Sequence, residues 1–316
     1  MSLMSRDRMK LALSIVVVGA IALYVLLSPP VAWGLYKWLL FHPVERAYSE
    51  DSWVQIEREF GVKRTEVSYR ASNGDVISGW FFRLPGAKRV FLVSQGKGSR
   101  LEYRGGIVRM LLKCGGSVLI YNYGGIGRSV GEASLDGVCA DAVASYDFLV
   151  EQEKYAPADI VAYGESFGTG VTGQLVSRRK VGAVILQSGF TSLLRASRDV
   201  LPWLRLYPDW CFPKQMLDNV AVFGKSHAPL LIVHGQEDGL VSVANARELF
   251  AAAVEPKELL ILRQGEHGKF GSGNEYFDKV KAFLDKYDSG SIEGRFNERN
   301  DYLNDLGVAG PKKKNL

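Results

Sequence analysis

Hydrophobic and polar positions fall into three regimes along this chain. From Leu11 to Leu27 there is no charge; Arg6, Arg8 and Lys10 precede the run and Pro29-Pro30 closes it. As a helix it rises roughly 25 Å, and Ser28 with its neighbours makes up the difference to a ~30 Å hydrocarbon core. The pattern predicts a transmembrane anchor over 11–28 behind a basic n-region, 1–10. Positive charge stays on the cytoplasmic side, so the remainder is expected in a periplasm or lumen, although Lys37 and Arg46 weaken the bias. The alternative is secretion after signal cleavage, but no clean A-x-A site follows the run. Residues 29–63 read as a juxtamembrane linker with an amphipathic helix, Ser49 to Phe60, that places Trp53, Ile56 and Phe60 on one side. Within the linker, "VAWGLYKWLLF" admits two readings: interfacial contact through Tyr24, Trp33, Tyr36 and Trp38, or packing onto the domain.

From Arg64 strands and helices alternate. Val67 and Tyr69 alternate with polar neighbours, Asn73-Gly74 marks a turn, and Val76 to Phe82 returns, which predicts a hairpin. Buried strands are expected in "RVFLVSQGKGS" and "SVLIYNYGGIGRSVG", each ending in a loop, in the short run Ile160, Val161 and Ala162, and in "VGAVILQSGF", "PLLIVHGQEDGLV" and "KELLILRQGEHGKF". Helices are expected at Leu101–Lys113, Leu135–Val150, behind Ser166, in "VSVANARELFAAAV" and at Asn274–Tyr287. A hairpin followed by repeated βα units implies an α/β fold: a mostly parallel central sheet with helices on both faces, over 64–288. Between about 191 and 226 the periodicity fails in a stretch rich in Pro, Trp and bulky apolar residues, the signature of a small helical cap. Residues 289–316, ending in Lys312-Lys313-Lys314, read as a solvated tail.

With 316 residues, 47% hydrophobic and 23% charged, the chain excludes general disorder. A net charge of +5 with dispersed basic residues gives no nucleic-acid footprint. Cys114, Cys139 and Cys211 are widely spaced with no C-x-x-C pair, and no His/Cys/Asp cluster has metal-ligand spacing. Oligomeric state is not legible.

The chemistry gathers at "ADIVAYGESFGTGVTG". A buried strand runs into Gly164-Glu165-Ser166-Phe167-Gly168 and then a helix, so Ser166 sits on a sharp turn that glycines at 164 and 168 allow. The Phe167 amide, at the helix start, points where an oxyanion would form. A serine needs a base, and the base needs a carboxylate. Of four histidines, His42 abuts the apolar segment, His227 precedes a strand, and His234 lies within a strand end where it shapes a turn. His267 follows the last strand in a glycine-flanked loop. Asp238 ends the preceding strand, with Glu237 as the rival acid. The order Ser166, Asp238, His267, each after a successive strand, is that of a serine hydrolase triad.

The motifs "YNYGGIGRSVGEAS", "YGESFGTG", "SGFTSL", "LLIVHGQEDGLV" and "GEHGKF" carry a resemblance. From about Arg64 to Tyr287 the chain resembles the α/β-hydrolase superfamily, and within it the small-capped, membrane-anchored BEM46/ABHD13-like serine hydrolases. That resemblance implies cleavage of carboxylester, thioester or lipid acyl bonds with Ser166, Asp238 and His267 in the catalytic positions and no cofactor. It also implies that Lys97 donates the second oxyanion amide beside Phe167. Where family members carry His-Gly, this chain has Gln95-Gly96, which puts the shape of that loop in question. A serine peptidase of the same fold, and a membrane-tethered, non-catalytic binding protein, are the alternatives. The aromatic cap favours a small-molecule or lipid-like acyl substrate met at the membrane. Removing residues 1–40 is then expected to leave hydrolysis of soluble short esters nearly unchanged.

Overall fold

The computed structural model describes residues 6–43, 47–98, 100–269 and 274–287. Residues 1–5 of the basic region, the tail at 289–316 and Phe270 of the "GEHGKF" motif lie outside them.

Five strands are buried at every position: β3 (Val90–Ser94), β4 (Ser117–Tyr121), β5 (Ile160–Glu165), β6 (Ala183–Gln187) and β7 (Leu230–Gly235). Continuous apolar runs arise because helices cover both faces of a parallel sheet, leaving no solvated side to alternate with. The hairpin strands β1 (Arg64–Arg70) and β2 (Val76–Phe82) run antiparallel, and β1, at the edge, keeps polar positions exposed. Strand β8 (Lys257–Leu262) closes the other edge and is only half-buried. The eight strands lie in the order β1-β2-β4-β3-β5-β6-β7-β8, with β2 antiparallel to β1 and β4 and every other pairing parallel.

The two faces are separate cores. One is sealed by α5 (Leu135–Glu151), α6 (Phe167–Val176), α8 (Asn219–Phe223) and α9 (Val243–Ala252), through residues such as Val138, Leu149, Val171, Phe223 and Leu249. The other is sealed by α3 (Glu50–Phe60), α4 (Gly105–Lys113) and α10 (Glu275–Lys286), through Trp53, Ile56, Leu111 and Phe283. The cap comprises α7 (Leu193–Val200), 3₁₀ turns at Pro202–Leu206 and Asp209–Cys211, and the approach to α8. The helix expected from Leu101 instead begins as a 3₁₀ turn, Leu101–Tyr103, and breaks at Arg104 before α4. Gly105-Gly106 is a poor helix start. A Cβ on Gly105 would already touch Ile56 and lie 3.8 Å from Trp53, so α3 packs close against this point.

The N-terminal helix α1 (Arg6–Leu26) contains the candidate span Asp7–Leu26, whose mean hydropathy is 2.3 and none of which is buried against the domain. By length and composition it suits a membrane anchor or a signal sequence. The stretch after it behaves differently. Helix α2 (Pro29–Phe41) lies on the domain, with Phe41 only 7% exposed and Trp33 and Leu40 packed against the same core. The Phe41 ring meets Phe167 edge-on at 5.8 Å, Lys37 pairs with Glu132, and Lys97 Nζ donates to Leu39 O at 2.9 Å. A truncation through residue 40 would therefore strip a core-packing helix as well as the apolar span, and sparing soluble-ester hydrolysis is no longer its expected result. Phe41→Ala should cost about 3–5 kcal/mol, as large-to-small core changes do. Thermal melting should register a drop on the order of 10 °C. A melting temperature within 1–2 °C of the parent, roughly the precision of such a comparison, would mean α2 is not part of the fold.

Candidate active site

The turn between β5 and α6 is strained at one residue. Ser166 has φ 52° and ψ −118°, a conformation L-residues adopt only when their surroundings impose it. Its N–H donates to Gln187 O at 2.8 Å, and its carbonyl accepts from Thr169 N–H at 2.9 Å, so both sides of the peptide are held. The flanking glycines are required by space. A Cβ on Gly164 would sit 2.6 Å from Gly168 O, and one on Gly168 would sit 2.0 Å from Ser94 O. β5 and α6 thus approach each other and β3 more closely than any side chain allows. The side chain of Ser166 consequently projects at the carboxyl edge of the sheet, beside the point where strand order reverses at β3.

Three of the residues singled out from the sequence meet there. Ser166 Oγ lies 2.9 Å from His267 Nε2, and His267 Nδ1 lies 2.8 Å from Asp238 Oδ2. With Nδ1–H donated to the carboxylate, Nε2 is left to accept the serine proton. Asp238 is buried and His267 remains 23% exposed, so the pair is shielded yet open to a small molecule. Burial alone would raise the Asp238 pKa. Hydrogen bonds from His234, His267 and the Val241 N–H outweigh it and hold the carboxyl well below its ordinary range. Its other oxygen, Oδ1, accepts from the Leu240 and Val241 amides at 3.0 and 2.8 Å, fixing its rotamer. The rival acid, Glu237, points to solvent, and its backbone N–H donates to Gly265 O.

On the other side of Ser166 lies the Gln95-Gly96-Lys97 loop. Gln95 is fully buried and bridges strand ends: its side-chain Nε2 donates to Tyr121 O at 2.7 Å and Asn122 Oδ1 at 3.0 Å, while its backbone carbonyl accepts from Tyr123 Oη at 2.9 Å. Gln95 therefore fastens β3 to β4. A Cβ on Gly96 would lie 3.5 Å from Ser166 Cβ, so the loop passes directly beside the nucleophile candidate. Lys97 follows with its side chain extended to α2, and Phe167 begins α6 directly after the serine.

Two features escape a reading of the sequence. Arg104 and Glu165, 61 positions apart, form a largely buried ion pair at 2.7 Å, and Glu165 also lies close to Gly268, joining the loops on both sides of Ser166. No local signal marks such a pair, since Arg104 is brought there by the break before α4. His234 is the second. It is wholly buried, with Nε2 2.8 Å from Val241 O and 3.3 Å from Asp238 Oδ2, so the turn-shaping histidine also touches the acid. Among the described residues, no group of three His, Cys, Asp or Glu side chains is placed to hold a metal ion.

Comparisons with known proteins agree with this architecture. A family model described as Chlamydia CHLPS protein matches residues 62–185. An uncharacterized protein of Mycobacterium tuberculosis is 30% identical over 226 residues, covering 69% of this chain and 78% of the relative. Alpha/beta hydrolase domain-containing protein 17B of Homo sapiens is 28% identical over 223 residues, 68% of this chain and 73% of the relative. Among solved structures, an esterase of Pyrococcus furiosus superposes with a TM-score of 0.64 at 17% identity, covering 79% of this chain and 99% of that one. An acetyl xylan esterase from Paenibacillus does so with a TM-score of 0.58 at 15% identity, over 78% and 97%.

Proposed function

The chain belongs to the α/β-hydrolase superfamily, and from that premise we propose that it is a serine hydrolase that cleaves ester-type bonds through an acyl-enzyme on Ser166. The observation that carries this reading is the unbroken series Ser166 Oγ, His267, Asp238, with contacts of 2.9 and 2.8 Å. In this reading, His267 Nε2 takes the hydroxyl proton as Ser166 Oγ bonds to the substrate carbonyl carbon. The buried, firmly ionised Asp238 stabilises the imidazolium that results. The amides of Phe167 and Lys97 are assigned to the tetrahedral oxyanion, and the α6 N-terminus adds its dipole to the first of them. Collapse expels the alcohol or thiol, which takes the proton from His267. Water, deprotonated by the same imidazole, then releases the acid. No cofactor enters either half.

Phe41, Tyr123 and Phe167 make an aromatic surround next to the nucleophile, with Phe41 and Tyr123 each edge-on to Phe167. It favours an apolar acyl group, and a lipid-like acyl ester or thioester is the substrate class proposed. Mixing enzyme with a p-nitrophenyl ester in a stopped-flow instrument should give a burst of p-nitrophenol equal to the active-site concentration whenever deacylation is the slower step. Chelators should leave its amplitude unchanged. If the wild-type chain turns over neither esters nor thioesters of any acyl length, the proposal fails.

A further inference from the structure

The cap carries apolar side chains that nothing in the domain covers. Trp210 is 82% exposed and Leu206 67%, and Trp203 shares the 3₁₀ turn with Leu206. Helix α2 adds Val31, Leu35 and Trp38, all more than half or half exposed on the side away from the core. So many uncovered bulky apolar side chains on the cap turns and α2 exceed the single, scattered exposure usual in soluble proteins. The patch is also tied directly to the end of α1. The Tyr24 and Tyr207 rings stack at 4.7 Å, Tyr207 Oη donates to Tyr24 O at 2.6 Å, and Tyr24 Oη donates to Leu206 O. Tyr36 Oη donates to Leu27 O at 2.6 Å and accepts from Trp203 Nε1 at 3.2 Å, so α1, α2 and the cap turn are held as one unit.

From this continuity we propose that the cap turn and the outer face of α2 seat in the lipid leaflet from which α1 emerges, forming the rim through which the site takes its acyl substrate. If α1 spans the bilayer, Tyr24 stands in its last turn at the interface. Tyr207, Leu206 and Trp203 touch that turn or its neighbour, so they occupy the same depth. Tryptophan and tyrosine favour that depth, and the rings exposed there are those of Tyr24 and Trp203, Tyr207 itself being buried. Helix α2 then leads from this level to the nucleophile: its 13 residues rise about 20 Å, from the Leu27 junction to Phe41 against Phe167. In this proposal a lipid-borne acyl chain enters along α2, whose far end lies against the residue next to Ser166. The substrate half of this proposal rests on the serine-hydrolase reading; the membrane half does not.

The test uses the full chain in phosphatidylcholine vesicles with and without brominated acyl chains, which quench tryptophan on contact. Of the six tryptophans, Trp53 and Trp80 are core residues, which leaves the surface ones to report. Trp210→Phe should remove a component quenched by brominated lipid. An unquenched Trp210 component, or one shielded by chain–chain cross-linking through the cap, would overturn the seating, the latter by assigning the face to a second copy. In a second arm, Leu206→Glu with Trp210→Glu should leave kcat/KM for a soluble short ester within about twofold of the parent. Action on a vesicle-embedded ester should fall about tenfold, the effect of roughly 1.4 kcal/mol of lost surface affinity. Equal rates on embedded substrate in variant and parent would refute the rim. Absence of all esterase activity in the parent would refute the hydrolase reading while the quenching still decides the seating.

Discussion

Ser166→Ala is expected to lower kcat for small activated esters by up to about 10⁶, since the members of such a triad act as one unit. The change removes only an oxygen. The strained backbone is held by Gln187 O and the Thr169 amide, neither of which involves the hydroxyl, so folding should be intact. Alanine also leaves in place the Phe167 and Lys97 amides that the proposed mechanism assigns to the oxyanion. The residual rate therefore measures what an oxyanion site and substrate binding accomplish without the nucleophile. Steady-state assays, with circular dichroism to confirm the fold, check this. A variant that retains a tenth of the parent kcat would move the chemistry away from Ser166.

Asp238→Asn should reduce kcat by about 10⁴. The amide keeps an acceptor for the Leu240 and Val241 N–H groups, so the loop is preserved. Facing His267, however, an NH₂ replaces the carboxylate. His267 Nδ1 must then accept instead of donate, which puts the proton on Nε2 and denies Ser166 its base. The same carboxylate sets an acid limit. Its pKa is depressed in the folded chain, so its contribution to stability is complete above the unfolded value near 4 and is lost as pH falls through the folded value. Urea titrations below pH ~4 should show the parent losing stability that the asparagine variant does not have to lose. Parallel pH dependences in the two proteins would show that Asp238 is not held ionised by its partners.

What the sequence could tell depended on how local the cause was. The Ser166 turn was legible because its glycines are demanded by close contacts at the turn itself, and a mostly parallel sheet was legible from runs that only a doubly covered sheet makes apolar throughout. Which of Asp238 and Glu237 turns inward was not legible from spacing: Asp238 does, because the Leu240 and Val241 amides donate to its Oδ1, while Glu237 is exposed. Helix α2 was ambiguous for a physical reason. An apolar, aromatic segment suits a bilayer and a protein core equally, and its two sides differ here: Phe41 is buried while Trp38, three residues earlier, is exposed. Arg104 with Glu165 was invisible, because their encounter needs β5 and the break before α4 to be in place first.

A fluorophosphonate probe reads the proposed nucleophile itself. Intact-mass analysis of the wild-type chain should show one adduct per molecule, fragmentation should place it on Ser166, and Ser166→Ala should take up none. An adduct on another residue, or labelling of Ser166→Ala equal to the parent, would contradict a triad built on Ser166.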